Sequence, residues 1–185
     1  MASVAIVGDG PGGLSAALFI AKNDHRAVVY GDDKTAMHSA LLNNYLGLTA
    51  VPGSEFQATA RAQVEAMGGV FNPVRIASIT TADNGFELEL EDGSRAQSDY
   101  LILSEGRSPD LARGLGLTES SDGSIWVDTN FRSSHKGVYV VGRSVRLKRS
   151  QAIISAGAGA TAALDILSEL AGDDLHDWDS PPKSG

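Results

Sequence analysis

Gly8, Gly10 and Gly13 are spaced as G-x-G-x-x-G. They follow a short apolar, β-rich run, Ser3 to Val7, and open a segment that reads as helix to about Asn23. In that setting the first glycine permits a tight turn and the second lets a diphosphate approach the backbone. The third lets helix and strand pack closely. The unpaired N–H groups and the positive end of the helix then face the phosphates. It is the strand–turn–helix placement that makes this a dinucleotide loop rather than a chance spacing of glycines. Arg26 to Tyr30 reads as the next strand and completes a β-α-β unit. An acid at the end of that strand normally meets the adenosine ribose. Here the strand runs into "VVYGDD", so the ribose position falls to Asp32 or Asp33, unless both are ordinary turn acids.

Other chemistries find little support. The chain has no cysteine, which excludes disulfides, thiolate metal sites and thiol catalysis within it. His25, His38, His135 and His176 are far apart and show no metal-ligand spacing, so no metal is expected. No side chain stands out as a catalytic acid, base or nucleophile. A net charge of −8 disfavours nucleic acid as a partner. No run of about 18 apolar residues is present, so no membrane span is expected. The N-terminus lacks the basic start of a signal peptide, and a cytoplasmic protein is the expectation.

The elements that must position the glycine loop follow from pattern. Residues 34–53 show no clear periodicity. Ser54 with Gln57 three residues on is a capping-box arrangement, predicting a helix to Met67 that stops at Gly68-Gly69. Val74 to Thr81, Phe86 to Glu91 and Ser94 to Ser98, separated by Asn84-Gly85 and Asp92-Gly93, predict a three-stranded antiparallel meander. "YLILSEG", Tyr100 to Gly106, reads as a buried strand of a parallel sheet. "SIWVD" and "GVYVVG" predict two more strands, and a small-residue helix is expected from about Gln151 to Leu170. Within it, Gly157-x-Gly159-x-x-Ala162 imitates a second dinucleotide loop. It follows no strand directly, and its small residues are read as allowing close packing. The acidic "GDDLHDWDSPPKSG" predicts a frayed tail over 173–185, after a single domain over 1–172.

Taken together, four motifs in order resemble the FAD domain of the thioredoxin reductase family, among flavoproteins with two dinucleotide-binding domains. "VAIVGDGPGGLSAAL" is similar to the first FAD motif and "NNYLG" to the loop ending near the flavin ring. "YLILSEG" resembles the strand ending in Ala-Thr-Gly, and the stretch from "GSIWVDTNF" through "SQAIISAGAGATAALDIL" resembles the closing motif. The resemblance implies an α/β, Rossmann-like FAD-binding domain with a parallel sheet and the β-meander. It places Gly8, Asp9, Gly10, Pro11 and Gly12 at the diphosphate, with Gly31 and Asp32 near the ribose. Arg75 and Ile76 fall at the adenine, and His38 and Asn44 near the flavin. Gly142, Gln151 and Ala152 fall around the ribityl chain and pyrimidine, Arg143 falls where the family binds a ribityl hydroxyl, and Ser104, Glu105 and Gly106 fall within the FAD site, with Glu105 beside the diphosphate.

The departures from the family pattern are equally specific. The bridge 107–123 stands where the family inserts its NAD(P)H domain, and the redox Cys-x-x-Cys is absent. Glu105 replaces the threonine of Ala-Thr-Gly, and Arg143 replaces the aspartate of the closing motif. A charge-compensating Glu105–Arg143 pair is therefore expected, with the two acting independently as the rival reading. Arg143, Arg146, Lys148 and Arg149 form the one basic run of an acidic chain. It reads either as a solvated loop or as an attractant for an anionic donor. Three functions remain open: a flavoprotein passing electrons from NAD(P)H or a redox protein, a non-catalytic FAD sensor or partner module, and a domain for another adenine dinucleotide such as NAD. By analogy with the family, a homodimer is implied.

Overall fold

A computed structural model describes residues 1–181. Strand β1 (Ser3–Val7) leads into helix α1 (Pro11–Lys22) and returns as β2 (Arg26–Tyr30). A turn of 3-10 helix (Ala36–Ser39) and a short antiparallel pair, β3 (Leu41–Leu42) with β4 (Val51–Pro52), precede α2 (Gly53–Ala66). Then come β5 (Val70–Asn72) and the meander β6 (Ile76–Ala82), β7 (Gly85–Leu90) and β8 (Arg95–Ser98). Strand β9 (Tyr100–Leu103), the short α3 (Asp110–Gly114), β10 (Val138–Val140), a 3-10 turn (Gly142–Ser144) and α4 (Ala152–Ala171) complete it.

All pairings in the main sheet are parallel, and its order is β10-β9-β1-β2-β5. The period-two geometry of a strand divides its side chains between two cores. Val4, Ile6, Val29, Ile102 and Tyr139 face α1 and α4, where they meet Leu14, Ile20, Ala162 and Ile166. Ala5, Tyr30, Leu101, Leu103, Val138 and Val140 face the meander and its Ile79, Phe86 and Leu88. Strands covered on both sides read as continuous apolar runs, which is why "YLIL" and "VYV" show no alternation.

Helix α4 is long and apolar enough to cross a membrane by length and composition, with a mean hydropathy of 1.3. Its use here is internal. Ser155, Ala158, Gly159, Ala162, Ala163 and Ile166 are buried, and a Cβ on Gly159 would overlap the carbonyl oxygen of Gly12. The glycine pattern within α4 is thus a close helix crossing. Asp165 on the same helix accepts hydrogen bonds from Tyr139 Oη (2.7 Å), Arg132 Nε (2.6 Å) and Asn130 Nδ2 (2.8 Å). Gly172, at φ +74°, closes the helix in the left-handed conformation that favours glycine.

Several expectations need correction. Ser54 caps nothing: α2 begins at Gly53, which lies too close to the Met37 carbonyl for any side chain. Gln57 is fully buried and serves another purpose. "SIWVD" forms one isolated bridge, Ile125 to Glu119, instead of a strand. Asp128 ends the extended run by accepting the amides of Asn130 and Arg132, an Asx-type turn. Strand β5 follows α2 as a parallel partner of β2 that no pattern announced. The segment read as a frayed tail has contacts as far as Asp179: Lys22 Nζ lies 2.6 Å from both Asp177 and Asp179, and Leu175 packs on the core. Residues 182–185 of that segment lie outside the described residues.

Candidate functional site

The chain reverses direction across the sheet at β1, going first to β2 on one side and later to β9 on the other. A crevice beyond the carboxyl ends of these strands is the usual ligand position in such a sheet. Here it is a cleft of about 730 Å³. Its floor is tied together by backbone hydrogen bonds from Gly8 N to Tyr30 O (2.8 Å) and from Ser104 N to Val7 O (2.8 Å).

The glycines have separate duties. A Cβ on Gly8 would overlap the Ser104 carbonyl, and one on Gly13 would overlap the Gly8 carbonyl. These two keep strand, turn and helix in contact. Gly10 is different: nothing lies closer to its Cβ position than Thr35 Oγ1, at 3.6 Å. The open space above Gly10 is where a phosphate can approach the chain. Pro11 starts α1, and no side chain caps its first turn, which leaves that turn's N–H groups available to an anion. The donor set and the cradle therefore fit a dinucleotide diphosphate.

Most of the anticipated positions border this cleft: Gly8, Asp9, Gly10, Pro11, Gly12, Gly31, Asp32, Arg75, Ile76, Ser104, Glu105, Gly106, Gly142, Arg143 and Ala152. Three do not. Asn44 donates to Gln151 at 3.0 Å, and this pair stands beside Ser150 and Ala152 at the cleft's edge. His38 lies 2.8 Å from the Asp33 carbonyl and is engaged within its own turn. Asp32 is 2.8 Å from Lys34 Nζ and 3.8 Å from Arg75 Nε, and the Lys34 ammonium holds its carboxyl below the usual range.

The Glu105–Arg143 pair is not formed. Glu105 instead accepts the amides of Leu111 (2.8 Å) and Ala112 (3.1 Å), capping the start of α3 with both carboxylate oxygens. Arg143 lines the cleft and makes no ion pair among the described residues. Both oxygens of this acid are thus engaged by amides at the start of α3, and the guanidinium is left for an anion. Burial pushes the Glu105 carboxyl above its ordinary 4.5, and the two amides pull against that rise. A raised folded value makes the contribution of this group favourable at low pH and progressively lost as pH rises through it. The stability of wild type relative to Glu105→Gln should therefore fall as the pH is raised from the ordinary carboxyl value of 4.5 upward. Denaturant melts of both proteins across that window check this, and a pH-independent difference would contradict it.

Sequence reasoning missed that Gln57 and Arg61 hold the loop from below, through the Asp9 that it placed at the diphosphate. Asp9 has a side chain only 6% exposed, and its Oδ2 lies 2.7 Å from Arg61 Nη1 on α2. The same oxygen accepts the Asp33 amide at 2.9 Å. Gln57 Nε2 donates to the Asp9 carbonyl. Arg61 also stacks over Phe71, 3.9 Å from the ring centroid. The available signal was a polar pair, Gln57 and Arg61, at helical spacing among the inward residues Gly53, Ala60 and Val64.

Comparison with known proteins agrees with this architecture. Residues 51–160 match the family described as pyridine nucleotide-disulphide oxidoreductase. No curated protein sequence matches. Among solved structures, the chain is similar to a thioredoxin reductase from Gloeobacter violaceus, with a TM-score of 0.85, 16% identity, and coverage of 96% of this chain and 99% of that one. An atypical thioredoxin reductase from Desulfovibrio vulgaris Hildenborough gives 0.85 and 17%, covering 93% and 99%. A ferredoxin-flavin thioredoxin reductase from Clostridium acetobutylicum gives 0.81 and 17%, covering 92% and 98%. At these identities the structures speak for the fold. With more than half of its length matched and the dinucleotide cleft in place, this cysteine-free chain belongs to the pyridine nucleotide-disulphide oxidoreductase family.

Proposed function

We propose that the protein is a flavoprotein that binds FAD in the cleft and passes electrons through the flavin without a cysteine pair. The observation that carries this reading is the open cradle at Gly10, facing the uncapped start of α1 at the point where the sheet changes direction. The amides of that turn and Arg143 would hold the diphosphate, and Asp32 with Arg75 the adenosine end. Bound FAD would supply the redox chemistry. The chain contributes position and charge: the amides of α3 hold Glu105, Arg61 neutralises Asp9, and the Asn44–Gln151 pair fixes the cleft's edge.

The electron donor under this reading is external, either NAD(P)H or a redox protein. Exposed Arg146, Lys148 and Arg149 beside the cleft favour an anionic one. The reading is tested by titrating nucleotide-free protein with FAD and, separately, with NAD, following intrinsic fluorescence. FAD should bind at least about a hundredfold more tightly than NAD, some 2.7 kcal/mol. Equal or inverted affinities would replace it with a domain for another adenine dinucleotide. Binding of FAD without reduction by any donor would make the chain a sensor or partner module.

A further inference from the structure

A second cavity, of about 500 Å³, opens on the other side of Tyr30, between the parallel sheet and the meander. Ala5 and Val28 from the sheet and Ala96 from β8 give it an apolar floor. One buried polar group on its lining lacks a partner among the described residues. Ser98 is 5% exposed, and its hydroxyl has no hydrogen bond. Tyr30, 7% exposed, lines the same cavity. A buried hydroxyl without a partner is uncommon and calls for one. Arg26 and Arg95 stand at the rim with no ion pair among the described residues, although the chain carries a net charge of −8. The one carboxylate on the lining, Glu87, accepts a hydrogen bond from the Gln97 amide at 3.4 Å.

We infer that this cavity is a binding site for a small organic oxyanion, a carboxylate or phosphate ester with a flat apolar body. The body would lie on the apolar floor, the oxyanion would meet the two guanidiniums, and the Ser98 hydroxyl would gain a partner. Guanidinium is the group best suited to such oxyanions, and a cavity of this size accommodates a small metabolite. Tyr30 lines both this cavity and the dinucleotide cleft, so an occupant here touches the wall of the adenosine end. The inference stands whichever dinucleotide the cleft takes.

The test is a titration of the full, 15N-labelled chain with benzoate and, separately, phenyl phosphate, followed by amide chemical shifts. Saturable shifts at Ala96, Gln97, Ser98 and Val28 are expected with at least one probe, and which one responds distinguishes a carboxylate from a phosphate source. Arg26→Gln/Arg95→Gln, two exposed changes whose folding the same spectrum verifies, should weaken that binding at least about tenfold. The inference is overturned if neither probe shifts those amides, if the shifts centre on Gly8 to Gly12 instead, or if the double variant binds as wild type does.

Discussion

Gly159→Ala will destabilise the protein by about 3 kcal/mol, while Gly157→Ala, two residues earlier in the same helix, will stabilise it by about 0.5–1 kcal/mol. The two positions share a helix and a residue type and differ only in what lies opposite. At Gly159 the added methyl overlaps the Gly12 carbonyl, which belongs to α1 and is fixed by the loop before it. Backbone cannot swing aside as a side-chain tip can, so α1 and α4 must separate, and the core around Ala16, Ala162 and Ile166 loosens with them. At Gly157 nothing lies within 4 Å, and alanine only removes unfolded-state freedom. Thermal melts should show a fall of roughly 6–12 °C for the first and a small rise for the second. Because Gly12 lies in the loop proposed to hold the diphosphate, Gly159→Ala should also weaken dinucleotide binding. Equal effects at the two positions would show that the helices do not meet as described.

Arg61→Gln is expected to impair the site through Asp9. The Asp9 carboxylate lies within the loop proposed to receive a diphosphate, and Arg61 neutralises it at 2.7 Å. Removing one partner of a buried pair leaves an uncompensated charge, at a cost of roughly 3–5 kcal/mol for fully buried pairs. Arg61 is 23% exposed, so the cost here should sit at or below the low end. The freed carboxylate should also repel the diphosphate and raise the dinucleotide dissociation constant at least about tenfold. Adding Asp9→Asn removes the stranded charge, while the asparagine oxygen can still accept the Asp33 amide. The double variant should therefore recover most of the affinity lost by the single one. If Arg61 acted only by packing on Phe71, the second change would restore nothing, and a calorimetric double-mutant cycle separates the two cases.

Much of this was legible because it is written in local pattern. The glycine spacing, the Asn-Gly and Asp-Gly hairpins and the uninterrupted apolar strands each encode geometry within a few residues. The Gly157–Gly159 stripe was legible for the same reason, since a helix of small residues must approach something closely. What was not legible depended on partners distant in sequence. Glu105 meets amides six and seven residues on rather than the guanidinium that its chemistry suggested. Gln57 three residues after Ser54 satisfies a capping rule on paper, yet the α2 face that packs against the loop claims it first. "SIWVD" has strand composition, yet its pairing stops at the single bridge to Glu119, and Asp128 turns the chain. Tyr30 reads as an ordinary end of a strand, and only the packed meander makes it the shared wall of two cavities.

The most direct measurement is the visible absorption spectrum of freshly purified protein, followed by identification of the nucleotide that heat releases. The expected result is bands at about 375 and 450 nm, the signature of an oxidised flavin, with FAD in the supernatant. A colourless protein that also fails to take up added FAD would contradict it.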